Sequence, residues 1–421
     1  MVVPAVATAD VVIVGAGSAG CVVAERLSRD PARRILLLDA GPATAAPASE
    51  TRLTRLPIHP GAPRARRYPE VRGRDVVRGF GLGGSSVING GYFLRGHRDD
   101  YVSWPWPIEQ IAAQFDAVEQ AMSVSAFRDD ELGTFARAVE AHWDGAGLAR
   151  PLSDDGGFAA FGLNRVRSNR RDGHRVTAAE AFLSAPRPNL DVVGDTEVIA
   201  LVSKGSRITG GETSRGRIDA DTVVLTAGAL GSGRLAARLL GDRPIHEHAE
   251  LLLRFTPRIP VEAPALLQTV AHTRDGLELR FYGDDFASFI DGVPRSGLAV
   301  GVTEMVAGTN GTLYRDGRVD LGDDSREMSE LVLWARIVAS MLKGPGFADL
   351  VEPGSLRRDT KPGLSSHAWG TLPLGETVGP DGAVHGFDGL HVADGSVLPT
   401  PLRSGPHASV MAVAGLIAEA I

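Results

Sequence analysis

The chain holds one cysteine, Cys21, so no disulfide can form within it. A disulfide-stapled scaffold is excluded, and a reducing compartment such as the cytoplasm is the expectation. Long apolar runs are missing too. None reaches the ~18 residues that a membrane span needs, and no export signal of a charged segment followed by an apolar stretch is visible. Basic blocks are scarce, the densest being the cluster from Arg64 to Arg67. With 44 Lys and Arg against 51 Asp and Glu, the net charge is -7, which argues against a nucleic-acid partner and for a small-molecule ligand. There are no internal repeats, and the one biased tract, Ala/Pro-rich at 42–48, reads as a loop. Such a chain of 421 residues, 43% of them apolar, is expected to divide into two domains.

Glycine is what the sequence has in telling places. Asp10-Val-Val-Ile-Val14 reads as a buried strand, followed at once by Gly15-Ala-Gly-Ser-Ala-Gly20 and the helical run Cys21 to Leu27. Gly15 permits the tight turn, Gly17 lets a pyrophosphate approach the backbone, and Gly20 lets helix and strand pack closely. Ser18 and Ala19 stand at the helix start, among the expected contacts. A second strand, Arg34 to Asp39, ends in an acid nineteen residues after Gly20. A carboxylate there accepts hydrogen bonds from both ribose hydroxyls of an adenosine.

A second block, Gly81-Leu-Gly-Gly-Ser-Ser-Val-Ile-Asn-Gly-Gly-Tyr-Phe-Leu-Arg-Gly96, suits a flat cofactor. Backbone meets a ring or a phosphate closely only where side chains are absent, and Ser85, Ser86 and Asn89 add polar contacts. Gly83, Gly84, Gly90 and Tyr92 complete the contacts expected from this block. Asp221 to Ala229 reads as a further buried strand ending in small residues, with Ala227 and Gly228 at its turn. It resembles the late strand of two-domain flavoproteins, in which Val198, after the strand Leu190–Val193, would add a backbone contact to adenine.

Towards the carboxy terminus come Ser366-His-Ala-Trp-Gly-Thr371, Gly389 to Pro399, and Ser404 to Met411 with an apolar helix after it. The strand before Asp394 and the helix after Pro406 return the chain to the nucleotide domain, with Asp394, Gly395 and Pro406 at the cofactor. Pro406 suits a helix's first turn, and that helix amino terminus would stabilise negative charge on a reduced flavin. His367 is the candidate catalytic base: an alcohol gives up hydride only when its hydroxyl proton is removed, and histidine titrates in the right range. His407 is the second candidate, the alternative being that it caps the final helix. His59, His97, His142, His174 and His272 lie in segments with no other chemical signal, and no metal site is expected.

These four blocks resemble the glucose–methanol–choline (GMC) oxidoreductases over almost the full length. The segments Asn89 to Gly96, Arg66 to Pro69 and Leu402 to Pro406 look most like the mycofactocin-associated branch. The resemblance implies FAD, hydride transfer from a hydroxyl-bearing donor, with reduced mycofactocin as the expected donor, and His367 as base. It also implies a respiratory electron acceptor other than oxygen, and allows peripheral contact with the inner face of the cell membrane. Two departures stand out. Gly405 occupies the position of the family's second active-site Asn or His, leaving His407 as candidate replacement. Ile88 occupies the position at which flavin-linked members carry histidine, so the FAD is expected to be non-covalent. The family's Gly-rich loop is trimmed to Gly241 to His248, a smaller lid suited to a bulky donor. Readings left open are a small-alcohol oxidase using oxygen, a hydroxynitrile-type lyase with structural FAD, and a non-enzymatic flavin binder.

The fold class expected is α/β, a discontinuous FAD-binding Rossmann-like domain (1–107, 165–245 and 366–421) with an α+β substrate domain (108–164 and 246–365). The latter contains an antiparallel sheet, including Leu277 to Tyr282 and a hairpin at 314–320, a helix over 325–341, and a helical insertion over 108–147. The active site is expected where the two domains meet, with Trp104 and Trp106 either lining it or simply packed.

Overall fold

A computed structural model describes residues 6–148, 156–322 and 327–421. The apolar run that opens the chain becomes β1 (Val6–Val14), followed by α1 (Ser18–Leu27) and β2 (Ile35–Leu38). β1 lies between β2 and β3 (Gly216–Leu225), parallel to both, with Val12 opposite Leu36 on one side and Val223 on the other. Val11 to Val14 and Ile35 to Leu38 are all buried. Strands covered on both faces need no polar alternation, which explains these uninterrupted runs. α2 (Gly228–Leu240) leaves β3, and β4 (Leu390–Val392) pairs with β3 in parallel before α3 (His407–Ala418). Leu190–Val193 extends the sheet beyond β2, and the antiparallel strands Arg207–Thr213 and Val198–Lys204 complete its seven strands. α3 lies against α1, with a Cβ on Gly415 3.8 Å from Val22 Cγ1. Pro406 caps α3 rather than entering its first turn.

The second large sheet is antiparallel and also has seven strands, with Ala249–Phe255, Leu298–Glu304, Leu277–Tyr282 and Leu267–His272 side by side. Leu251, Leu253, Leu279, Phe281 and Val300 pack under the helices Thr134–Gly145 and Glu327–Leu342. The alternate residues Glu250, Leu252, Glu278, Arg280 and Tyr282 face a cavity instead. The hairpin is present as Gly311–Leu313 paired with Val319–Asp320. Ser325, the expected start of the helix that follows, lies outside the described residues. The helical insertion forms two helices, Ile108–Ala121 and Thr134–Gly145. Among the described residues no helix is long and apolar enough to cross a membrane. This is the mixed architecture expected: a Rossmann-like sheet assembled from distant segments, beside an antiparallel one.

Candidate active site

Glycines fix the meeting of β1, α1 and β3. Gly15 has φ +108°, and a Cβ on it would stand 2.6 Å from Ala227 Cα; a Cβ on Gly20 would stand 1.8 Å from the Gly15 carbonyl oxygen. Neither position tolerates a side chain. Gly17 differs, because its nearest neighbour would be 3.9 Å away, leaving bare backbone open to the cavity. The second glycine block closes on this turn. Gly83 N donates to the Ala16 carbonyl at 2.8 Å, and a Cβ on Gly84 would come within 2.6 Å of Gly17 Cα.

Asp39 ties the pieces together. Its Oδ2 accepts from Ala16 N at 2.8 Å, and its Oδ1 accepts from Gly41 N at 2.8 Å and Gly81 N at 3.0 Å. Of the roughly four lone-pair sites of a carboxylate, three are thus engaged by backbone amides. The expectation that Asp39 serves both ribose hydroxyls did not foresee these amides, which take up much of its accepting capacity. Asp394 is likewise engaged, accepting from Gly228 N at 2.8 Å, Ser232 Oγ at 2.6 Å and Ser396 N at 2.8 Å. Ser86, read as a polar contact, is fully buried and bonded to Gly83 O and Ala178 N.

One cavity of about 1020 Å³ is lined by every expected site residue except Gly20, Gly83 and Ser86, which pack behind it. His367 enters it from a loop where Ser366 holds φ +60°. Beneath that loop the buried Glu247 accepts from His367 N at 2.7 Å and Ala368 N at 3.0 Å. Burial pushes the Glu247 carboxyl up, opposed by the Arg78 charge and these amides. His367 Nδ1 lies 2.9 Å from His248 Nδ1, and among the described residues its Nε2 has no hydrogen-bond partner. Burial and then the Arg280 charge hold His367 well below the usual histidine range, so it is neutral near pH 7.

The expectation that His407 replaces the missing second residue meets a geometric obstacle. Its Nδ1 accepts from Asn89 Nδ2 at 3.2 Å, and its Nε2 lies 3.0 Å from Ser18 Oγ. Burial lowers it to about 4, so the neutral ring has one N–H and one lone pair, both committed within the cradle. At Gly405 a Cβ would be 3.6 Å from His367 Nε2 but 3.0 Å from the Tyr92 ring, so Tyr92 fills the room a side chain there would need.

Sequence reasoning missed a buried polar chain behind this corner. Tyr92 OH donates to Glu278 Oε2 at 2.6 Å, and Arg280 Nε donates to Glu278 Oε1 at 2.6 Å. His272 Nε2 lies 2.9 Å from Glu278 Oε2, and His97 Nε2 lies 2.7 Å from His272 Nδ1. Although burial pushes the Glu278 carboxyl up, Arg280 and these donors hold it below the usual carboxylate range. His97 and His272, set aside above, therefore belong to the site's support. The only hint was Glu278-x-Arg280-x-Tyr282, an alternation that ordinarily marks a solvated strand face. The trimmed segment is no lid: Arg243–Ile245 pairs with Gly311–Leu313 and carries Glu247 and His248 beneath His367. Trp104 is buried against Tyr101, outside the cavity.

The residues fit FAD. Gly17 and Gly228 present backbone with nothing within 3.9 Å of where a side chain would start. Among the described residues the buried Arg78 Nη2, on the cavity wall, has no hydrogen-bond partner, the Glu247 carboxylate lying 4.0 Å away. Comparison with known proteins agrees. Family models described as GMC oxidoreductase match residues 9–238 and 313–414. An uncharacterized GMC-type oxidoreductase from the thcA 5' region of Rhodococcus erythropolis is 29% identical, over 96% of this chain and 97% of its own. Pyridoxine 4-oxidase of Microbacterium luteolum is 26% identical, over 96% and 98%. The crystal structure of pyridoxine 4-oxidase from Mesorbium loti superposes with a TM-score of 0.82 at 23% identity, covering 98% of each chain. The chain belongs to the GMC oxidoreductases, the FAD enzymes that oxidise CH–OH donors.

Proposed function

We propose that this chain is a dehydrogenase that oxidises reduced mycofactocin and passes the electrons to a respiratory acceptor other than oxygen at the inner face of the cell membrane. The observation that carries the oxidation is His367 Nε2, unpartnered, on the wall of the cavity that also holds the cofactor cradle. FAD, when bound, supplies the hydride acceptor. His367 Nε2 takes the donor's hydroxyl proton; Glu247 fixes the loop that presents it. The residues 1–107, 165–245 and 366–421 hold the cofactor, and Ser18, Asn89 and His407 brace its cradle. The remaining segments supply the donor wall, where Leu252, Leu266, Phe286 and Ile290 give a bulky donor apolar surface beside Glu250 and Arg280. The likeness of Asn89 to Gly96 and Leu402 to Pro406 to the mycofactocin-associated branch supports this donor.

Anaerobic mixing with reduced mycofactocin should bleach the flavin absorbance faster than simple alcohols do; no bleaching rejects this donor. Rapid reoxidation in air with peroxide release would instead favour an oxidase, the reading suggested by the likeness to pyridoxine 4-oxidase. His367→Asn should slow flavin reduction about a hundredfold, and a near-normal rate rejects its role as base. With Ile88 before Asn89, the flavin is held without a covalent bond. Acid precipitation should leave it in the supernatant, not in the pellet.

A further inference from the structure

Two histidine nitrogens at hydrogen-bonding distance from each other share one hydrogen. His248 Nδ1 and His367 Nδ1 are 2.9 Å apart, and both rings are neutral near pH 7, His248 being pushed down to about 3 by burial and then by the Arg280 charge. If His248 donates, His367 must carry its own hydrogen on Nε2 and has no lone pair there for a proton. If His367 donates from Nδ1, its Nε2 is a bare base facing the cavity, and His248 carries its hydrogen on Nε2. The choice of tautomer decides whether the site can act.

We propose that His248 is a positioning residue that accepts the Nδ1 hydrogen of His367 and so keeps His367 Nε2 free to take the donor's proton. This rests on the reading of His367 as base. The surroundings hold the pair in place. The Trp369 indole packs on the His248 ring, centroids 4.3 Å apart and planes tilted by 41°. Among the described residues His248 Nε2 has no hydrogen-bond partner, so the ring's polar contact is the one its Nδ1 makes with His367. The pair is also held at both ends by one group, because Glu247 Oε1 accepts from His248 N at 2.9 Å and from His367 N at 2.7 Å. When the donor's hydroxyl proton reaches His367 Nε2, the imidazolium keeps its Nδ1 hydrogen on His248, a charge-assisted bond stronger than the neutral one it replaces.

The test is the tautomer itself, read by nitrogen-15 NMR on the FAD-loaded protein, with the two rings assigned by loss of their signals in His248→Asn and His367→Asn. Hydrogen on Nδ1 of His367 and on Nε2 of His248 is expected; the opposite pattern overturns the proposal whatever the activity. In parallel, His248→Leu should slow anaerobic flavin reduction about a hundredfold, and His248→Asn, which places an acceptor oxygen near the same point, should recover most of that loss. Equal rates for wild type and His248→Leu, or no recovery with Asn, also overturn it. If His367→Asn is itself nearly as fast as wild type, the failure lies with the base and not with His248.

Discussion

A neutral base that lines a cavity behaves differently from one in open water. His367 is held well below the usual histidine range by burial first and the Arg280 charge next, so its unprotonated, proton-accepting form persists as pH falls through 6.5. The rate of flavin reduction at saturating donor should therefore stay level from pH 9 down to about 6.5 and decline only in more acid solution; stopped-flow measurement giving a midpoint at 6.5 would contradict the burial argument. The neighbouring Gly405 explains why only one such base stands at this corner. The Tyr92 ring, fixed by its 2.6 Å bond to Glu278, occupies the space into which a second side chain would project.

At the scale of elements, two glycines of the same turn do separate jobs. Gly20→Ala drives a Cβ to 1.8 Å from the Gly15 oxygen, so α1 must move off β1; a loss of about 3 kcal/mol and of FAD binding together is expected. Gly17→Ala meets no protein atom closer than 3.9 Å. Melting of the apoprotein should be nearly unchanged, while FAD titration shows weakened affinity. Equal effects of the two on melting would refute this division of labour. Such turns are legible in a sequence because few residues but glycine satisfy them, and Gly15 to Gly20 and Gly81 to Gly91 announced the cradle for that reason. The Leu277–Tyr282 strand was legible too, but its orientation was not. Alternation alone does not say that the charged face is the one turned inward, and nothing local pairs His97 with His272 across 175 positions. Asp39 shows the converse: its place was readable, whereas its engagement with Ala16, Gly41 and Gly81 depends on loops that meet only in the folded chain.

For the whole molecule, the buried histidines make stability acid-sensitive. Burial lowers His97 to about 3, His248 to about 3 and His407 to about 4, each below the unfolded value near 6.5. Between those limits the unfolded chain binds protons that the folded chain refuses, so stability is lost as pH falls below 6.5, by up to about 1.4 kcal/mol per pH unit for each group. Thermal melting should drop steeply from pH 6.5 to pH 4.5; a flat Tm across that interval would count against neutral buried rings. FAD binding opposes the loss by mass action. The contact between Ser18 and His407 joins residues 389 positions apart. During synthesis the first turn of the cradle therefore emerges long before the residue that braces it. Firm capture of FAD is therefore expected only after α3 has docked and His407 has met Ser18 and Asn89.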